Sequence, residues 1–268
     1  EVHLSDLLQA YALIQQINDQ FWREQKTEQI TSLIKEITGL YLAFETSTAY
    51  ATPGETINTS LKLLARNTSL ISVNQVQIKG AKLLSSIVEK PLEVNIDTAI
   101  ALPIEIQELT TFSNPYWLNE SPSLGMYEVE DQSLIGLPEC PPAISAEVLL
   151  SVDDIQIPFN LPLIYRYAKP DKGELWERFK VVPPISVSLS NDVVLFSDQS
   201  AKEVVVSVQS FAPNQKGELS LHLPKEWRVE PSTQSFNLAQ EGKQVSLKFT
   251  VSPPEQATET IASVEARV

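Results

Sequence analysis

Near the start of the chain, apolar residues recur at steps of three and four, the spacing that lines one face of an α-helix. Residues 4–23 carry the first run and residues 28–38 the second. Thr27 stands where an N-cap would begin the second helix, and Gly39 where the left-handed turn that glycine adopts easily would end it. The pattern predicts a helical hairpin over residues 1–39. Because an isolated hairpin cannot bury its apolar stripe, it must dock on the β-domain that follows or on a domain before it.

From residue 40 onward, the apolar period changes from helical to two, the alternation of strands with one buried face. Such patterns occur at 40–48, 56–66, 73–80, 92–100, 144–152, 155–159 and 163–167. Asp153-Asp154 provides a short hairpin turn between two of them. Since no helix-length apolar period occurs in residues 40–268, the pattern predicts β-sandwiches and not βαβ units. Residues 40–184 are predicted to form one domain, either a single elaborate sandwich or two smaller ones.

A second β-domain is predicted after Val181-Val182-Pro183-Pro184, because prolines cannot donate to a sheet and stiffen a connector. Residues 185–268 hold seven strand patterns, at 185–189, 192–196, 203–211, 217–224, 234–239, 244–254 and 260–268. Seven short strands in a stretch of this length are typical of an immunoglobulin-like sandwich. Trp227 lies between two of these patterns, where a core plug is favoured over ligand stacking. The predicted fold class is mainly β: tandem immunoglobulin-like β-sandwiches preceded by a short helical hairpin.

Charge and composition narrow the range of partners. A net charge of −14 argues against nucleic acid and anionic membranes, because both are polyanions that this chain would repel. The hydrophobic share of 43% and the charged share of 20% are those of a globular protein. No apolar run approaches the roughly 20 residues that cross a bilayer, so no membrane insertion is predicted. The single cysteine excludes an internal disulfide.

The sequence gives little support for a metal site or for a catalytic nucleophile. The two histidines are His3, at the N-terminus, and His222, in a strand pattern that turns its side chain toward solvent. Neither belongs to a spacing typical of zinc sites, and the eight glycines form no phosphate-binding loop. Cys140 is interpreted as an inert thiol. The sequence therefore predicts no catalytic residue, no metal site and no cofactor.

Clustered carboxylates leave a further possibility open. Glu128 with Glu130 and Asp131, and Asp153 with Asp154, could support glycosidase chemistry if they flanked a cleft, or could bind calcium. Acidic residues in turns are mostly solvated, so solvated turns are the favoured interpretation.

Three aromatic residues are the best candidates for recognition: Tyr116, Trp117 and Tyr127. Aromatic faces stack on the C–H edges of sugar rings, and they also act as hot spots of protein interfaces. A hydrophobic plug within the sandwich or between domains is the favoured interpretation. If these residues act in recognition, a glycan is the candidate ligand.

Three stretches of the middle region resemble a known family: PYWLNE (115–120), GMYEVEDQSLIGLPECPPAI (125–144) and LPLIYRYAKPDKGELWERFKVVPP (161–184). They resemble the long C-terminal, non-catalytic region of large bacterial PIG-L (LmbE-like) N-acetylglucosaminyl deacetylase proteins. TGLYLAFETSTAYATPGE (38–55) is similar to the segment that precedes the β-domain there. Residues 185–254, which include LSLHLPKEWRVEPSTQSFNLAQEGKQVSLKFTVSPP, resemble the NEW3-type immunoglobulin-like domain that also occurs beside galactosidase modules.

The resemblance implies a parent protein that is an exported (periplasmic, cell-surface or secreted), zinc-dependent deacetylase of amide-linked sugars. The family's zinc-binding Ala-His-Pro-Asp-Asp-Glu motif and its later His pair are absent from this sequence, so no catalytic residue carries over. The chain is therefore predicted to be a non-enzymatic accessory portion that positions its own catalytic domain or binds glycan. The rival hypotheses are a purely structural spacer or protein-interaction module without a ligand, and a carboxylate hydrolase.

Overall fold

A helical hairpin followed by several β-sheets forms the protein, which confirms the predicted fold class of tandem β-sandwiches after a short helical lead-in. The computed structural model describes residues 2–67, 70–85, 89–256 and 260–268.

The chain divides into two units, residues 1–181 and 182–268, and each has its own hydrophobic core. The predicted three-part division at 1–39, 40–184 and 185–268 stays a prediction.

The hairpin consists of α1 (Val2–Ile14) and α2 (Gln20–Thr38), and Asp19 caps the start of α2. The backbone of Asp19 is extended, and its Oδ1 accepts a 3.1 Å hydrogen bond from the backbone N–H of Trp22. Because this N-cap starts α2 at residue 20, the predicted first helix over 4–23 is wrong beyond the end of α1.

The predicted start of the second helix is also wrong, and its predicted end is confirmed. Thr27 lies inside α2, where its Oγ1 accepts a 2.9 Å hydrogen bond from Gln15 Nε2, so it caps no helix. Gly39 ends α2 in the left-handed conformation with φ 59°.

The hairpin docks on the β-sheets of its own unit. Its buried face shares one apolar cluster with the strands that follow, through Leu4, Leu8, Tyr11, Ile30 and Ile34. Of the two partners considered for the hairpin, the following β-domain is therefore the one that covers this stripe.

The described residues of the first unit form thirteen strands. They are β1 (Tyr41–Thr46), β2 (Tyr50–Ala51), β3 (Thr56–Ile57), β4 (Thr59–Leu64), β5 (Ile71–Lys79), β6 (Ala81–Leu83), β7 (Lys90–Pro91), β8 (Thr98–Ala101), β9 (Ile104–Ile106), β10 (Ser145–Val152), β11 (Ile155–Lys169), β12 (Gly173–Arg178) and β13 (Lys180–Val181). The main sheet runs β7-β5-β10-β11-β1-β4-β8, with β12 also on β11, while β3-β9-β6 and β13-β2 form smaller sheets.

Strand β11 joins two halves of the main sheet. Its first half pairs antiparallel with β10, and its second half pairs parallel with β1 and antiparallel with β12. Asp153 and Asp154 form the predicted turn before it, both with left-handed φ, 47° and 65°. The patterns at 155–159 and 163–167 belong to this one continuous strand and not to two. Pro158 and Pro162 lie in the half whose register has only β10 as neighbour, where a missing N–H breaks no second ladder.

The predicted strand at 92–100 is wrong in its first half. Asn95 has a left-handed φ of 61°, and the backbone N–H of Ile96 bonds to the carbonyl oxygen of Glu93, which closes a turn. Leu92 is buried, but Val94 and Ile96 are exposed, because the turn takes them off the common face.

The described residues of the second unit, 182–256 and 260–268, form a sandwich of seven strands. Its strands are β14 (Ile185–Leu189), β15 (Lys202–Ser210), β16 (Gln215–His222), β17 (Arg228–Glu230), β18 (Thr233–Leu238), β19 (Gln244–Ser252) and β20 (Ser263–Arg267). One sheet has the order β14-β15-β19-β17 and the other β18-β16-β20. Both are antiparallel, as in an immunoglobulin-like domain.

Two details of the second unit differ from the sequence prediction. The fully described segment 192–196 forms no strand, and β17 takes the seventh place instead. Phe196 packs edge-to-face on Trp227 with ring centroids 5.2 Å apart, and both rings contact the core, so Trp227 is the predicted plug. Val193 and Leu195 on either side are left exposed.

We expect Phe249→Ala to destabilise the second unit by about 3–5 kcal/mol, because this side chain is fully buried between the two sheets. Hydrogen exchange of β15 and β19 in the whole chain measures the effect locally. Val193→Ala, at an exposed position, is the control and should change stability by less than about 0.5 kcal/mol. Equal protection in both variants would show that this core position contributes little.

Candidate functional site

The connecting segment, residues 107–144, runs between β9 and β10 and is described throughout. It contains no strand and only two short 3-10 turns, Tyr116–Leu118 and Gln132–Leu134. Its prolines lack the N–H that a sheet ladder needs, which explains the irregular path. A segment of this length without regular structure is uncommon in a compact domain and is often functional.

Hydrogen bonds hold the start of the connecting segment against β13 and against Gly80, which follows β5. The N–H of Ser113 bonds to the carbonyl oxygen of Val181 at 2.8 Å, and the N–H of Val181 returns a 2.9 Å bond to Ser113 Oγ. Thr110 Oγ1 donates to the carbonyl oxygen of Gly80. Gly80 has φ 78°, and a Cβ there would meet the carbonyl oxygen of Ala143, so the close approach requires glycine.

Cys140 and Arg178 fix the middle of the connecting segment. Cys140 Sγ accepts a 2.9 Å hydrogen bond from the N–H of Tyr116 and donates to the carbonyl oxygen of Asn114 at 3.0 Å. The Arg178 guanidinium, which comes from β12, bonds to the carboxylate of Glu139 and the carbonyl oxygen of Cys140. Two distant parts of the chain are therefore held together at one point.

Between the connecting segment and the strands β11 to β13 lies a groove of about 1100 Å³. Its apolar lining includes five aromatic side chains, Phe112, Tyr116, Trp117, Trp176 and Phe179, and five prolines, Pro115, Pro138, Pro141, Pro142 and Pro162. Its polar lining includes Asn114, Asn119, Glu139, Glu177, Arg178 and Lys180. An aromatic surface with amide and charged groups at its side suits a ligand that has both apolar faces and hydroxyl groups.

The structure brings together two of the three predicted recognition residues. Tyr116 and Trp117 share a 3-10 turn, and their rings meet edge-to-face with centroids 4.8 Å apart at 88°. Both are half-buried and line the groove. Tyr127 is 60% exposed and does not belong to the groove lining. The ligand-binding role of all three stays a prediction.

Trp176 is the groove residue that the sequence reasoning did not single out as a site residue. It stands on β12 opposite Arg166 of β11, and Arg178 stands opposite Ile164. Paired residues of neighbouring strands point to the same face, so these side chains share one face of the sheet. Trp176 is 69% exposed, which is unusual for so large an apolar ring.

A row of charges crosses this face beside Trp176. Lys62 Nζ lies 2.7 Å from Glu45 Oε1, and Arg166 Nη1 donates a 2.8 Å hydrogen bond to Glu45 Oε2. Arg166 also pairs through Nε with Glu174 of β12. Burial is the largest influence on the pKa of Glu45 and would raise it, but Lys62 and Arg166 together outweigh it and hold that pKa below its ordinary value. The paired charges brace the strand that carries Trp176.

Other chemistry was sought across the described part of the chain. Within those residues, no three His, Cys, Asp or Glu side chains form a group that could hold a metal ion. His222 is exposed, as predicted, and its Nε2 lies 2.9 Å from Ser220 Oγ and 3.2 Å from Glu265 Oε2. Neither α1 nor α2 is long and apolar enough to cross a membrane, and the described residues contain no other helix that is.

Residues 198–268 match the family described as NPCBM-associated, NEW3 domain of alpha-galactosidase. This confirms the predicted NEW3-type domain. The match spans β15 to β20, while β14, which pairs with β15, lies just before it. NEW3 domains are a family of carbohydrate-associated, non-catalytic accessory domains.

Comparison with curated proteins finds no match. Among solved structures, a Salmonella alpha-2-macroglobulin matches at 11% identity and a TM-score of 0.27, over 85% of this chain and 16% of the other. The Yersinia pseudotuberculosis adhesin InvE matches at 10% identity and a TM-score of 0.27, over 86% of this chain and 55% of the other. This chain thus spans only part of both proteins.

Glu45→Gln should make the first unit less stable at neutral pH and flatten its response to acid. Because the pKa of Glu45 is lowered in the folded state, its carboxylate stabilises the fold above the ordinary value of 4.5, and this contribution is lost as pH falls through the folded pKa. We expect a loss of about 2 kcal/mol at neutral pH, typical of charged hydrogen bonds, and convergence with the unmodified protein once the pH falls below the folded pKa of Glu45.

Urea denaturation of both proteins across this pH range measures the difference. Glu174→Gln is the matched control, because the Glu174 side chain is 57% exposed and solvent screens its ion pair, so its loss should cost much less stability than the loss of Glu45. A constant difference between Glu45→Gln and the unmodified protein at all pH values would contradict the assigned charge network.

Proposed function

We propose that this chain is a non-catalytic accessory module that binds glycan in its aromatic groove. The Tyr116–Trp117 pair at the side of that groove carries the proposal. Independent support comes from the NEW3 match of residues 198–268, a domain family associated with carbohydrate.

Binding in the groove would rest on two kinds of contact. A sugar ring stacks its C–H face on an aromatic ring, and such contacts contribute beyond the area they bury, by about 0.5–1.5 kcal/mol for aromatic pairs. Amide and carboxylate groups beside the ring accept or donate hydrogen bonds to hydroxyls, and Asn114 and Asn119, whose side chains bond to each other at 3.2 Å, stand next to Trp117. The ligand is bound reversibly, without a covalent step.

The parent protein, in this proposal, is an exported bacterial deacetylase of the PIG-L (LmbE-like) family. The resemblance of residues 115–120, 125–144 and 161–184 supports it, and these are the stretches that build the groove and its strands. The principal partner is then the catalytic domain of the same polypeptide, which would carry the zinc chemistry. The module would hold that domain close to its polymeric substrate and raise the effective substrate concentration.

A structural spacer or protein-interaction module is the second candidate, and one observation favours it. Helix α2 leaves large apolar side chains exposed although its other face is docked, among them Phe21, Trp22 and Leu33. Exposed apolar groups that lie together commonly mark contacts with another protein. In this role the groove would bind no ligand.

Trp117→Ala should abolish glycan binding, because it removes the stacking surface without altering the sheet. A glycan array identifies a ligand for the unmodified chain, and titration calorimetry then compares the variants. Trp22→Ala is the matched control, since Trp22 is another tryptophan of the first unit, reaches the surface and does not line the groove. The spacer hypothesis gains if the unmodified chain binds nothing, or if the Trp117→Ala variant binds as well as the control.

The coding sequence upstream of Glu1 tests the proposed parent. We expect it to encode, in the same reading frame, a domain with a His-Pro-Asp-Asp motif. A catalytic domain of a different family in that position would contradict the deacetylase parent and leave the glycan proposal standing.

A further inference from the structure

We infer that the groove selects uncharged glycan chains of several pyranose units, and that Trp176 is a second stacking platform beside Trp117. This inference rests on the proposed function and adds to it a ligand class, a minimum length and a further binding residue.

The size of the groove favours a chain over a single sugar. Its volume of about 1100 Å³ is at the upper end of the roughly 300–1,000 Å³ of pockets that enclose one drug-sized ligand. One monosaccharide would leave most of it to water. An oligosaccharide that continues past the first stacked ring fills more of the lining and gains more contacts.

Two separate elements supply the tryptophans. Trp117 comes from a 3-10 turn of the connecting segment, and Trp176 comes from the middle of β12. Each indole can stack one ring, and both line the same groove. This arrangement gives the exposed indole of Trp176 a binding role, whereas an exposed indole would not stabilise a strand whose role is purely structural.

Arg178 is the positioning residue for this pair. It lies two residues after Trp176 on the same face of β12 and bonds across the groove to Glu139 and the carbonyl oxygen of Cys140. Cys140 in turn accepts the N–H of Tyr116, next to Trp117. A short chain of contacts therefore ties the two platforms together, and this reduces the conformational cost of holding a ligand at both.

The charges of the groove point to an uncharged ligand. Its lining has two carboxylates and two cations, Glu139, Glu177, Arg178 and Lys180, which sum to zero. Glu139 is occupied by Arg178, and Glu177 Oε1 accepts a 2.6 Å hydrogen bond from the Tyr167 hydroxyl. A charged sugar that approached Glu139 or Arg178 would have to break their ion pair, whereas a hydroxyl group can bond beside it without doing so.

Anionic glycans meet a further barrier. Residues 119–139 of the connecting segment contain five acidic and no basic side chains, and the whole chain carries a net charge of −14. This field repels uronate and sulfate groups on approach. Hydroxyl-rich neutral chains experience no such repulsion.

The test uses calorimetry on the whole chain with probes of one to six units. The neutral series are cello-oligosaccharides and N-acetylated chito-oligosaccharides, the anionic probe is oligogalacturonate, and the cationic probe is deacetylated chitosan oligomer. We expect affinity for one neutral series to rise with length and level off at three or more units. Trp176→Ala should weaken hexamer binding by about five- to tenfold and leave dimer binding nearly unchanged, as expected for one lost stacking contact.

Two variants keep this result interpretable. Trp176→Phe retains an aromatic face and should recover most of the hexamer affinity, and Trp117→Ala should lose dimer and hexamer alike. Unfolding midpoints confirm that the variants remain folded, which the exposure of Trp176 favours.

The outcomes separate this inference from the proposed function. Length-independent binding, or hexamer binding unaffected by Trp176→Ala, overturns the second platform while Trp117-dependent glycan binding still stands. Tighter binding of the galacturonate or chitosan probes overturns the selection for uncharged chains. Binding of none of the probes by the unmodified protein overturns this inference, and an empty glycan array in addition overturns the proposed function itself.

Discussion

Main-chain pairing along β11 is the constraint on which the first unit depends. The strand is fifteen residues long, and its partners change part-way along it, from β10 to β1 and β12. Its inward residues, such as Leu163, belong to the core. On the other face, Ile164 lines the groove and Arg166 belongs to the row of charges. Packing and the candidate site are thus two faces of one strand.

Much of the architecture could be predicted because burial imposes a simple period. Strands with one face in the core, such as β10 and β19, alternate regularly and are visible in the sequence. Caps and turns with a special backbone, such as Gly39 and Asp153-Asp154, are also visible because few residue types suit them. These features depend on residues that are close in the chain, so they can be recognised from the sequence alone.

The errors arise where a local pattern competes with a specific backbone or side-chain contact. Leu92, Val94 and Ile96 alternate like a strand, but the left-handed Asn95 turns the chain between them. Asp19 takes the capping role expected of Thr27, because its carboxylate reaches the N–H groups of the first turn. Both outcomes depend on which polar group reaches a free donor or acceptor, and the alternation of apolar residues does not show this.

The candidate site was predictable only in part, for a similar reason. Tyr116 and Trp117 are neighbours in the chain, so their clustering is visible without a structure. Trp176 joins them only through the fold, by way of Arg178 and the residues around Cys140. Tyr127 is close to the pair in sequence, yet the connecting segment carries it out of the groove lining. Sequence proximity is a weak guide in a segment whose path is set by long-range contacts.

The thiol of Cys140 links two backbone groups of the connecting segment, since one sulfur atom bonds to both the Tyr116 amide and the Asn114 carbonyl. Maleimide or haloacetamide dyes attached to this lone cysteine would therefore push apart the surface that they are meant to report on. A probe introduced at the exposed position Val193, on a cysteine-free background that keeps a serine at position 140, would leave the groove closer to its native shape.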